Sequence, residues 1–597
     1  MNLLKIPVSK LILATDKKDL ANFLNYDYKD FCWILYSQPI HNRYNLIEIP
    51  KKNGKIRTIH APDAHLKQLQ KNLTLELTKL FEHKNSGKPS FSFAYRKNNN
   101  DEKFGIYFNA KRHRNRNLVI NIDLKDFFHT IEFKRIVGYF TRNNYFKFPI
   151  DVAIGIAQIA CYKDPKTGKV FLPQGSPVSP IISNLIAEIL DAKITKLAIQ
   201  YKFYYSRYAD DLTLSFDTKK LPPEIIKSNE NKFFLGDKII KAIKSSGFNI
   251  NNDKICFRTK FDRQQVTGLV VNKKINVPRN YYNFSKSMAY NFCQFATFEK
   301  SSFHTFSKNN SDKGKSIIGI MTYIYNIKNE YKNRTINVEP NIYTDFKIEK
   351  PKSPEHLFWS KNSFNRLFLQ TYFQESFVYR RKIHLLCEGK TDPLHFKNYS
   401  STLDKTIQNY YEFTAFNEDN LTIFQKELNI RSGTPNLKRF IEIYSTLYIS
   451  KLSFLNPTII IVDNDKAGNE VFQCGIGRYG KTSKYGKTTI NKLEIEYAYI
   501  CKNLFLLKLP KIIKDTTIED LYEPSITSTI LNGKSFTKDN NYDANLYYGK
   551  VELLRNVIKK NKLSINYKNF ETMLEAIDRL FLMNLYLNLT RACHQLA

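Results

Sequence analysis

Features of secreted, zinc-binding and membrane proteins are scarce in this sequence. Its 597 residues include eight cysteines, and no two of these form a C-x-x-C pair, which indicates reduced thiols and argues against a disulfide framework or a zinc site. No apolar run approaches the roughly 18 residues that a membrane span needs, and the first residues lack the pattern of a secretory signal. We therefore expect a soluble, cytoplasmic protein.

Acidic residues are also in short supply. Asp and Glu number 56 against 92 Lys and Arg, so the net charge is +36. Two explanations stay open: a polyanionic partner such as nucleic acid, or an AT-rich coding sequence that enriches lysine without selection for binding. Hydrophobic residues, at 42%, exclude a wholly disordered chain, and the length suits about four domains.

Apolar segments in the first half predict a sheet with helices on one face. In chain order they are a strand (118–123), a helix (177–201), a hairpin (202–216), a helix near IIKAIKSSG and two strands (253–258 and 264–272). This order is typical of a split β-α-β sheet. A hairpin over 44–62, with a two-residue turn at Asn53-Gly54, is predicted before it.

Three aspartates are expected to meet at one edge of this sheet. Asp123 closes the strand LVINID, and Asp210 and Asp211 occupy the turn of the later hairpin. Adjacent carboxylates repel and raise each other's pKa values unless cations neutralise them. Two Mg²⁺ ions held by such carboxylates stabilise the attacking and leaving oxygens of phosphoryl transfer. A single Asp at a strand end could instead be a turn or helix cap.

The motifs around these aspartates resemble those of reverse transcriptases. They are NIDLKDFF (121–128), LPQGSP (172–177) and YADD (208–211). The resemblance implies a right-hand fingers-palm-thumb polymerase in which Asp123, Asp210 and Asp211 are catalytic and bind Mg²⁺. It further implies five residues that bind the incoming nucleotide: Arg57, Phe128, Gln174, Gly175 and Lys254.

Each nucleotide-binding residue has an implied role. Phe128 falls where the family has an aromatic ring that excludes the ribose 2′-hydroxyl, although core packing is the alternative. Arg57 matches a residue that neutralises triphosphate oxygens, which suits a guanidinium because it donates bidentately. Gln174 and Gly175 match the loop against nucleotide and template. Lys254 matches a lysine near the pyrophosphate leaving group, or is an ordinary surface charge.

Two shorter blocks resemble those of retron reverse transcriptases. They are the N-A-x-x-H block, Asn109 to His113, and the triplet Val266-Thr267-Gly268. The resemblance implies that the enzyme recognises its own structured noncoding RNA through Asn109, His113, Val266, Thr267 and Gly268. It also implies that dNTPs are polymerised from a guanosine 2′-hydroxyl into branched RNA-linked DNA (msDNA), in a bacterium whose RNase H removes the template. Residues 279–335 are expected to add thumb contacts to RNA.

A second group of carboxylates follows strands in the second half. Glu388 ends one strand, and Asp463 and Asp465 end another, where open parallel sheets place their sites. The pair E-G-x-T-D and D-x-D resembles a Toprim domain over 380–525, most like overcoming-lysogenization-defect nucleases. The resemblance implies a Mg²⁺-dependent nuclease in which Glu388, Asp463 and Asp465 are catalytic metal ligands, with Asp392, Glu519 and Asp520 as further candidates. Alternatively, Asp463-Asn464-Asp465 is a turn and helix cap.

Together these observations predict a multidomain α/β and α+β protein. The expected parts are fingers and palm (1–278), thumb (279–345), a linker (346–379), a Toprim domain (380–525) and a C-terminal helical extension (526–597). The expected function is a retron reverse transcriptase with a fused effector in antiphage defence, restrained by msDNA until a phage triggers it. The effector would cleave a nucleic acid, with tRNA one candidate, and a homo-oligomer is expected. Two alternatives stay open: an abortive-infection type enzyme that makes untemplated DNA, and a Toprim half that only scaffolds the complex.

Overall fold

The computed structural model consists of two compact units, Met1–Pro278 and Arg279–Ala597. It describes residues 8–50, 54, 56–98, 103–218, 220–229, 232–297, 313–329, 353–419, 421–452, 455–480, 483–539 and 541–596. Within these ranges, no helix combines the length and the apolar character needed to cross a membrane.

The first unit is mixed helix and strand. Its helices are α1 (Lys17–Phe23), α2 (Tyr28–Tyr36), α3 (Ala64–Asn85), α4 (Ile106–Arg112), α5 (Phe133–Arg142), α6 (Ile150–Ala160), α7 (Ser179–Tyr201) and α8 (Asp237–Ser245). Its strands are β1 (Tyr44–Pro50), β2 (Ile56–Pro62), β3 (Leu118–Lys125), β4 (Tyr162–Lys163), β5 (Val170–Phe171), β6 (Tyr204–Tyr208), β7 (Asp211–Phe216), β8 (Ile226–Asn229), β9 (Lys232–Leu235), β10 (Asn249–Ile250), β11 (Cys256–Thr259), β12 (Gln265–Val266) and β13 (Leu269–Val270).

The central sheet of this unit has the antiparallel order β10-β3-β7-β6, and β11 also pairs with β3. Because side chains alternate along a strand, Ile122 and its partner Leu212 point into a core shared with α3 and α7. The opposite face carries Asp123 and its partner Asp211. The strand order agrees with the split β-α-β sheet predicted from the sequence.

The predicted hairpin over 44–62 forms, and its last described pair joins Pro50 and Ile56. The two-residue turn predicted at Asn53-Gly54 falls within the connection 51–55. Gly54 has a φ of 77°, and the rest of this connection lies outside the described residues.

The second unit contains the remaining elements. Its helices are α9 (Arg279–Phe295), α10 (Lys313–Asn329), α11 (Pro354–Trp359), α12 (Ser363–Phe373), α13 (Asp392–Ser400), α14 (Lys405–Gln408), α15 (Ile423–Leu428), α16 (Thr434–Leu447), α17 (Lys466–Arg478), α18 (Pro524–Thr527), α19 (Lys550–Glu552) and α20 (Lys568–Leu596). Its strands are β14 (Ile383–Cys387), β15 (Tyr411–Ala415), β16 (Thr458–Val462), β17 (Lys484–Ile490), β18 (Leu493–Cys501), β19 (Leu504–Lys508), β20 (Ser535–Phe536) and β21 (Tyr547–Tyr548).

A six-stranded sheet with the order β15-β14-β16-β19-β18-β17 organises this unit. The first four strands are parallel, whereas β18 and β17 are antiparallel to their neighbours. Both faces are buried, because Leu385 belongs to one core cluster and Leu386 to another. Residues of α20 such as Phe570 and Ile577 complete the first cluster, so the segment predicted as a C-terminal extension packs on the sheet.

The linker predicted over 346–379 needs correction for its described part. Residues 353–379 form α11, α12 and a π-helical turn, and Phe364 and Phe368 are fully buried. Pro354 occupies the first turn of α11, with Ser353 as its N-cap, which is where proline favours a helix rather than breaking it. The predicted thumb is represented by α9 and α10, which contact α12; 298–312 and 330–345 lie outside the described residues.

Candidate active site

The three predicted aspartates lie at one end of the central sheet of the first unit. Asp123 on β3 is the direct cross-strand partner of Asp211 on β7. Asp210 sits in the two-residue turn between β6 and β7, and its carbonyl accepts a hydrogen bond of 3.0 Å from the Leu124 amide. The preceding Ala209 has a φ of 58°, a region that non-glycine residues rarely adopt and that concentrates at functional sites.

Burial and mutual repulsion raise the pKa values of two of these carboxylates. Partial burial and the neighbouring Asp123 raise the pKa of Asp210. Burial, Asp210 and Asp123 raise the pKa of Asp211 to about 6. Lys254 offsets part of this charge, since its Nζ lies 2.9 Å from Asp123 Oδ1. The other Asp123 carboxylate oxygen accepts a hydrogen bond of 2.8 Å from the side-chain amide of Asn251.

The other predicted nucleotide-binding residues lie on elements around the aspartates. Arg57 is exposed on β2, and its charge lowers the pKa of Asp210. Phe128 is half-buried against the core of the unit. The Gln174 carbonyl accepts a hydrogen bond of 2.8 Å from the His60 amide of β2. Gly175 has a φ of 120°, and a Cβ there would lie 2.7 Å from the His60 carbonyl oxygen, so this contact requires glycine.

Asn251 and Arg207 support the site but were not predicted from the sequence. The Arg207 guanidinium is fully buried and pairs bidentately with Asp191, at 2.8 and 2.7 Å. Its third nitrogen donates to Asn184 Oδ1 at 3.0 Å and to the Ala209 carbonyl at 3.2 Å. Arg207 thus braces the strained turn from the face opposite the aspartates. The only sequence signal was its position directly before the YADD motif.

The two retron-like blocks meet in space. Helix α4 contacts the hairpin formed by β12 and β13, and the Thr267 hydroxyl donates to the Ile106 carbonyl at 3.1 Å. Thr267 and Gly268 form the hairpin turn with φ values of 46° and 81°. Val266 is buried, whereas Gly268 is exposed.

Asn109 and His113, predicted to recognise RNA, both have buried side chains. The His113 ring nitrogens each lie 2.7 Å from a serine hydroxyl, Ser215 on β7 and Ser206 on β6. The Ser206 hydroxyl in turn donates to Asn109 Oδ1 at 2.5 Å. Burial lowers the pKa of His113 to about 3, so the ring is neutral, and its hydrogen bonds join strands β6 and β7.

The second predicted group of carboxylates lies at the carboxyl ends of two adjacent parallel strands. Glu388 directly follows β14, and Asp463 directly follows β16. Burial, together with Asp392, Glu388 and Glu519, raises the pKa of Asp463 to about 9. Burial also raises the pKa values of Glu388 and Asp392. These carboxylates therefore share a poorly hydrated space with too little positive charge.

Glu519 adds a fully buried carboxylate to this group. Neither of its oxygens accepts a well-aligned hydrogen bond, although the Lys550 ammonium lies 3.2 Å from Oε2. Asp392, Asp463 and Lys550 line the adjoining cleft of about 620 Å³ together with Glu388. Lys550 was not predicted from the sequence, because it comes from α19, far along the chain.

The remaining two candidates have other partners. Asp465 caps α17, since its Oδ1 accepts a hydrogen bond of 2.8 Å from the Gly468 amide, and its charge still raises the pKa of Glu388. Asp520 accepts from the Lys538 ammonium at 2.5 and 2.6 Å and from the Thr517 amide. Over the described ranges, no set of three or more His, Cys, Asp or Glu side chains already meets closely enough to hold a metal ion.

Comparison with known proteins places the first half of the chain in a family. Residues 49–283 match the family described as reverse transcriptase (RNA-dependent DNA polymerase). Retron Mx162 reverse transcriptase from Myxococcus xanthus is 28% identical over 265 residues, 42% of this chain and 52% of that protein. Among solved structures, the match to telomerase from Candida albicans covers 55% of this chain and 60% of the telomerase chain. Its sequence identity is 10% and its TM-score is 0.27, which is too low to support an argument.

A closer relationship rests on longer coverage. Retron Ec86 reverse transcriptase from Escherichia coli is 30% identical over 299 residues, which is 49% of this chain and 84% of that protein. Retron Ec83 reverse transcriptase, also from Escherichia coli, is 29% identical and is covered over 83% of its length. Neither match extends over the second half of this chain to an appreciable degree, so that half stays unassigned. With the aspartates, the LPQG loop and the retron blocks in their expected order, the chain belongs to the retron reverse transcriptases.

Proposed function

We propose that this enzyme copies part of its own structured noncoding RNA into msDNA, starting from a guanosine 2′-hydroxyl of that RNA. The convergence of Asp123, Asp210 and Asp211 at one end of the central sheet of the first unit, which we call the palm sheet, carries the polymerase part of this proposal. Family membership supports the RNA template, the dNTP substrates and the branched product.

The residues at the site suit divalent cations. Carboxylate oxygens are the ligands that Mg²⁺ prefers, and burial together with neighbouring carboxylates raises the pKa values of Asp210 and Asp211, which a bound cation would offset. Asp123, Asp210 and Asp211 would hold the ions, with Asp123 giving up its contact with Lys254. When bound, such ions supply charge stabilisation for the attacking and leaving oxygens of phosphoryl transfer.

The surrounding side chains would bind and select the nucleotide. Arg57 and Lys254 would neutralise triphosphate oxygens, and Lys254 is close enough to the aspartates to meet the departing pyrophosphate. The Phe128 ring would exclude a ribose 2′-hydroxyl by steric conflict. Arg207 and His113 would hold the hairpin of β6 and β7, which we call the catalytic hairpin, without touching substrate.

Replacing Asp210 or Asp211 by Asn tests this assignment. Each change should lower DNA synthesis on an annealed RNA template and DNA primer by roughly 100-fold or more, because the site loses transition-state charge stabilisation. Asp237→Asn, an exposed aspartate on α8, is the matched control and should retain activity. Normal synthesis by the Asp210 and Asp211 variants would contradict the two-metal assignment.

The nature of the DNA product separates this proposal from untemplated synthesis. DNA isolated from cells that express the wild-type enzyme should be covalently joined to RNA through a guanosine 2′-hydroxyl and should be complementary to that RNA. A protein-linked DNA of random or homopolymer sequence would instead favour the abortive-infection alternative.

We further propose that the α/β sheet of the second unit is a Toprim-type, Mg²⁺-dependent nuclease that msDNA restrains until a phage triggers it. The observation in favour is the clustering of three half-buried carboxylates, Glu388, Asp392 and Asp463, with the fully buried Glu519, because clustered carboxylates suit a metal ion. Lys550 would supply positive charge at the same cleft. Asp465 and Asp520 stay candidates on sequence resemblance.

Asp463→Asn and Glu388→Gln test the nuclease proposal. Both variants should lose Mg²⁺-dependent cleavage of RNA or DNA and lose toxicity when expressed without the noncoding RNA, while DNA synthesis stays normal. Asp515→Asn, at an exposed position, should behave like the wild-type protein. Unchanged toxicity in the Asp463 and Glu388 variants would favour the alternative in which this unit only scaffolds the complex.

A further inference from the structure

Three segments of the first unit, 111–117, 258–264 and 270–276, form one continuous surface. The Asn115 amide donates to the Val271 carbonyl at 2.8 Å, and the Gln264 amide group donates to the Arg116 carbonyl at 2.9 Å. Further hydrogen bonds from the Asn272 side chain join the second and third segments. We call this surface the distal palm face.

The distal palm face lies at the end of the palm sheet that is opposite to the aspartates. Thr259, at the end of β11, pairs with Leu118, at the start of β3. Asp123 lies further along the same strand, and at roughly 3.3 Å per residue the two positions are about 17 Å apart. The face is therefore separate from the polymerase site.

The charged residues of these three segments are almost all positive. The three segments contain nine Lys and Arg residues and one acidic residue, Asp262. Five of the cations are exposed: Lys111, Lys260, Arg263, Lys273 and Lys274. The Asp262 carboxylate accepts hydrogen bonds from the Thr259 backbone amide and hydroxyl, at 2.9 and 2.8 Å. Such a surface suits a polyanion.

An exposed aromatic ring stands among these cations. Phe261 is 89% exposed, and the Lys260 ammonium lies 5.1 Å from its ring centroid. The turn that presents it is fixed, because the Asp262 amide also donates to the Thr259 carbonyl at 3.0 Å. A phenyl ring that a fixed turn presents beside cations is a platform on which an unpaired base can stack.

We propose that the distal palm face binds structured RNA, with phosphates against its cations and one unpaired base stacked on Phe261. The partner is a stem with a loop or bulge, which suits the RNA template of the proposed function and rests on it. A protein partner fits less well, because the residues next to Phe261 in the chain, Lys260, Asp262 and Arg263, are charged rather than apolar. The buried Asn109 and His113 then support the RNA-binding face from beneath rather than contacting RNA.

Binding of the full chain to three synthetic probes tests the stacking contact. The probes are an RNA hairpin with 2-aminopurine in its loop, a blunt RNA duplex of the same stem, and the corresponding DNA hairpin. Phe261→Ala should weaken binding of the RNA hairpin roughly fivefold or more and leave the duplex unchanged. Phe261→Tyr should bind like the wild type, as should the matched control Phe234→Ala, whose ring is 52% exposed elsewhere in the unit.

Salt dependence tests the phosphate contacts. Arg263→Ala and Lys273→Ala should each lower the slope of log affinity against log salt by about 1 for the RNA hairpin. Lys241→Ala, which removes an exposed cation of α8, should leave the slope unchanged.

Several outcomes would overturn the inference. They are equal hairpin binding by Phe261→Ala and wild type, equal losses for the Phe261 and Phe234 variants, and tighter binding of the DNA hairpin than of the RNA hairpin. A changed oligomeric state with unchanged RNA affinity would reassign the face to a protein. Extension of an annealed primer on an RNA template is measured in parallel: failure of the wild type there contradicts the proposed function, whereas the probe results bear on this face alone.

Discussion

At the scale of single residues, His113 shows how a buried side chain can serve the active site without reaching it. Its two ring nitrogens each lie 2.7 Å from a serine of the catalytic hairpin. His113→Ala leaves the hydroxyls of Ser206 and Ser215 short of a partner, at about 1–3 kcal/mol for each unsatisfied group. We expect lower stability of the first unit and a lower kcat with little change in KM for dNTPs. His65→Ala, an exposed histidine, is the control.

The effect of His113→Ala should depend on pH. Burial lowers the pKa of His113 to about 3, below the value of about 6.5 for an unfolded chain. At pH values between these two pKa values, the unfolded state binds a proton that the folded state does not. The free energy of unfolding of the wild type therefore falls by up to about 1.4 kcal/mol per pH unit as pH falls below about 6.5. The variant lacks this penalty, so the stability difference should narrow from pH 7 to pH 5 in urea denaturation. A constant difference would contradict a neutral buried His113.

Arg207 allows stability and activity to be separated. Arg207→Ala leaves Asp191 as an unpaired buried charge and should cost about 3–5 kcal/mol. In the double variant Arg207→Met, Asp191→Leu, the buried charge is gone, and part of the stability should return. DNA synthesis should stay low, because the Ala209 carbonyl still lacks its donor. Full recovery of synthesis would limit Arg207 to a structural role. Chemical denaturation and primer extension measure the two quantities.

At the scale of elements, the LPQG loop and strand β2 depend on each other through Gly175. Gly175→Ala adds a Cβ 2.7 Å from the His60 carbonyl oxygen at a φ of 120°, so the backbone must shift, at roughly 1–3 kcal/mol. We expect KM for dNTPs to rise by about tenfold, because Gln174 moves. Gly138→Ala, at a helical glycine with open space around it, should be neutral or stabilising. An unchanged KM would separate this loop from nucleotide binding.

Elements with strong local patterns were predictable, and long-range contacts were not. The apolar run around Ile120 and Ile122 predicted β3, and the motif order predicted that Asp123 and the YADD turn would meet. The burial of His113 was not predictable, because its hydrogen-bond partners Ser206 and Ser215 are far along the chain. The helix at Pro354 was missed because proline and charge there were interpreted as a linker, whereas the buried Phe364 and Phe368 decide the packing.

At the scale of the whole molecule, each unit has a hydrophobic core of its own. Scanning calorimetry should therefore resolve two unfolding transitions. Leu77→Ala in the first core should lower one transition, and Leu385→Ala in the second unit should lower the other, each by about 2–5 kcal/mol of stability. A shift of both transitions by either change would contradict separate cores. The expected homo-oligomer stays a prediction, which light scattering of the full chain would check.

Strand β3 has a consequence for where synthesis can begin. It spans the palm from Leu118, beside the distal palm face, to Asp123 at the aspartates, and a paired β-strand does not stretch. The strand therefore keeps these two positions about 17 Å apart, a distance equal to roughly five nucleotide steps of 3.4 Å. If a stem is bound on the proposed distal palm face, we expect the first copied nucleotide to lie about five nucleotides or more from that stem.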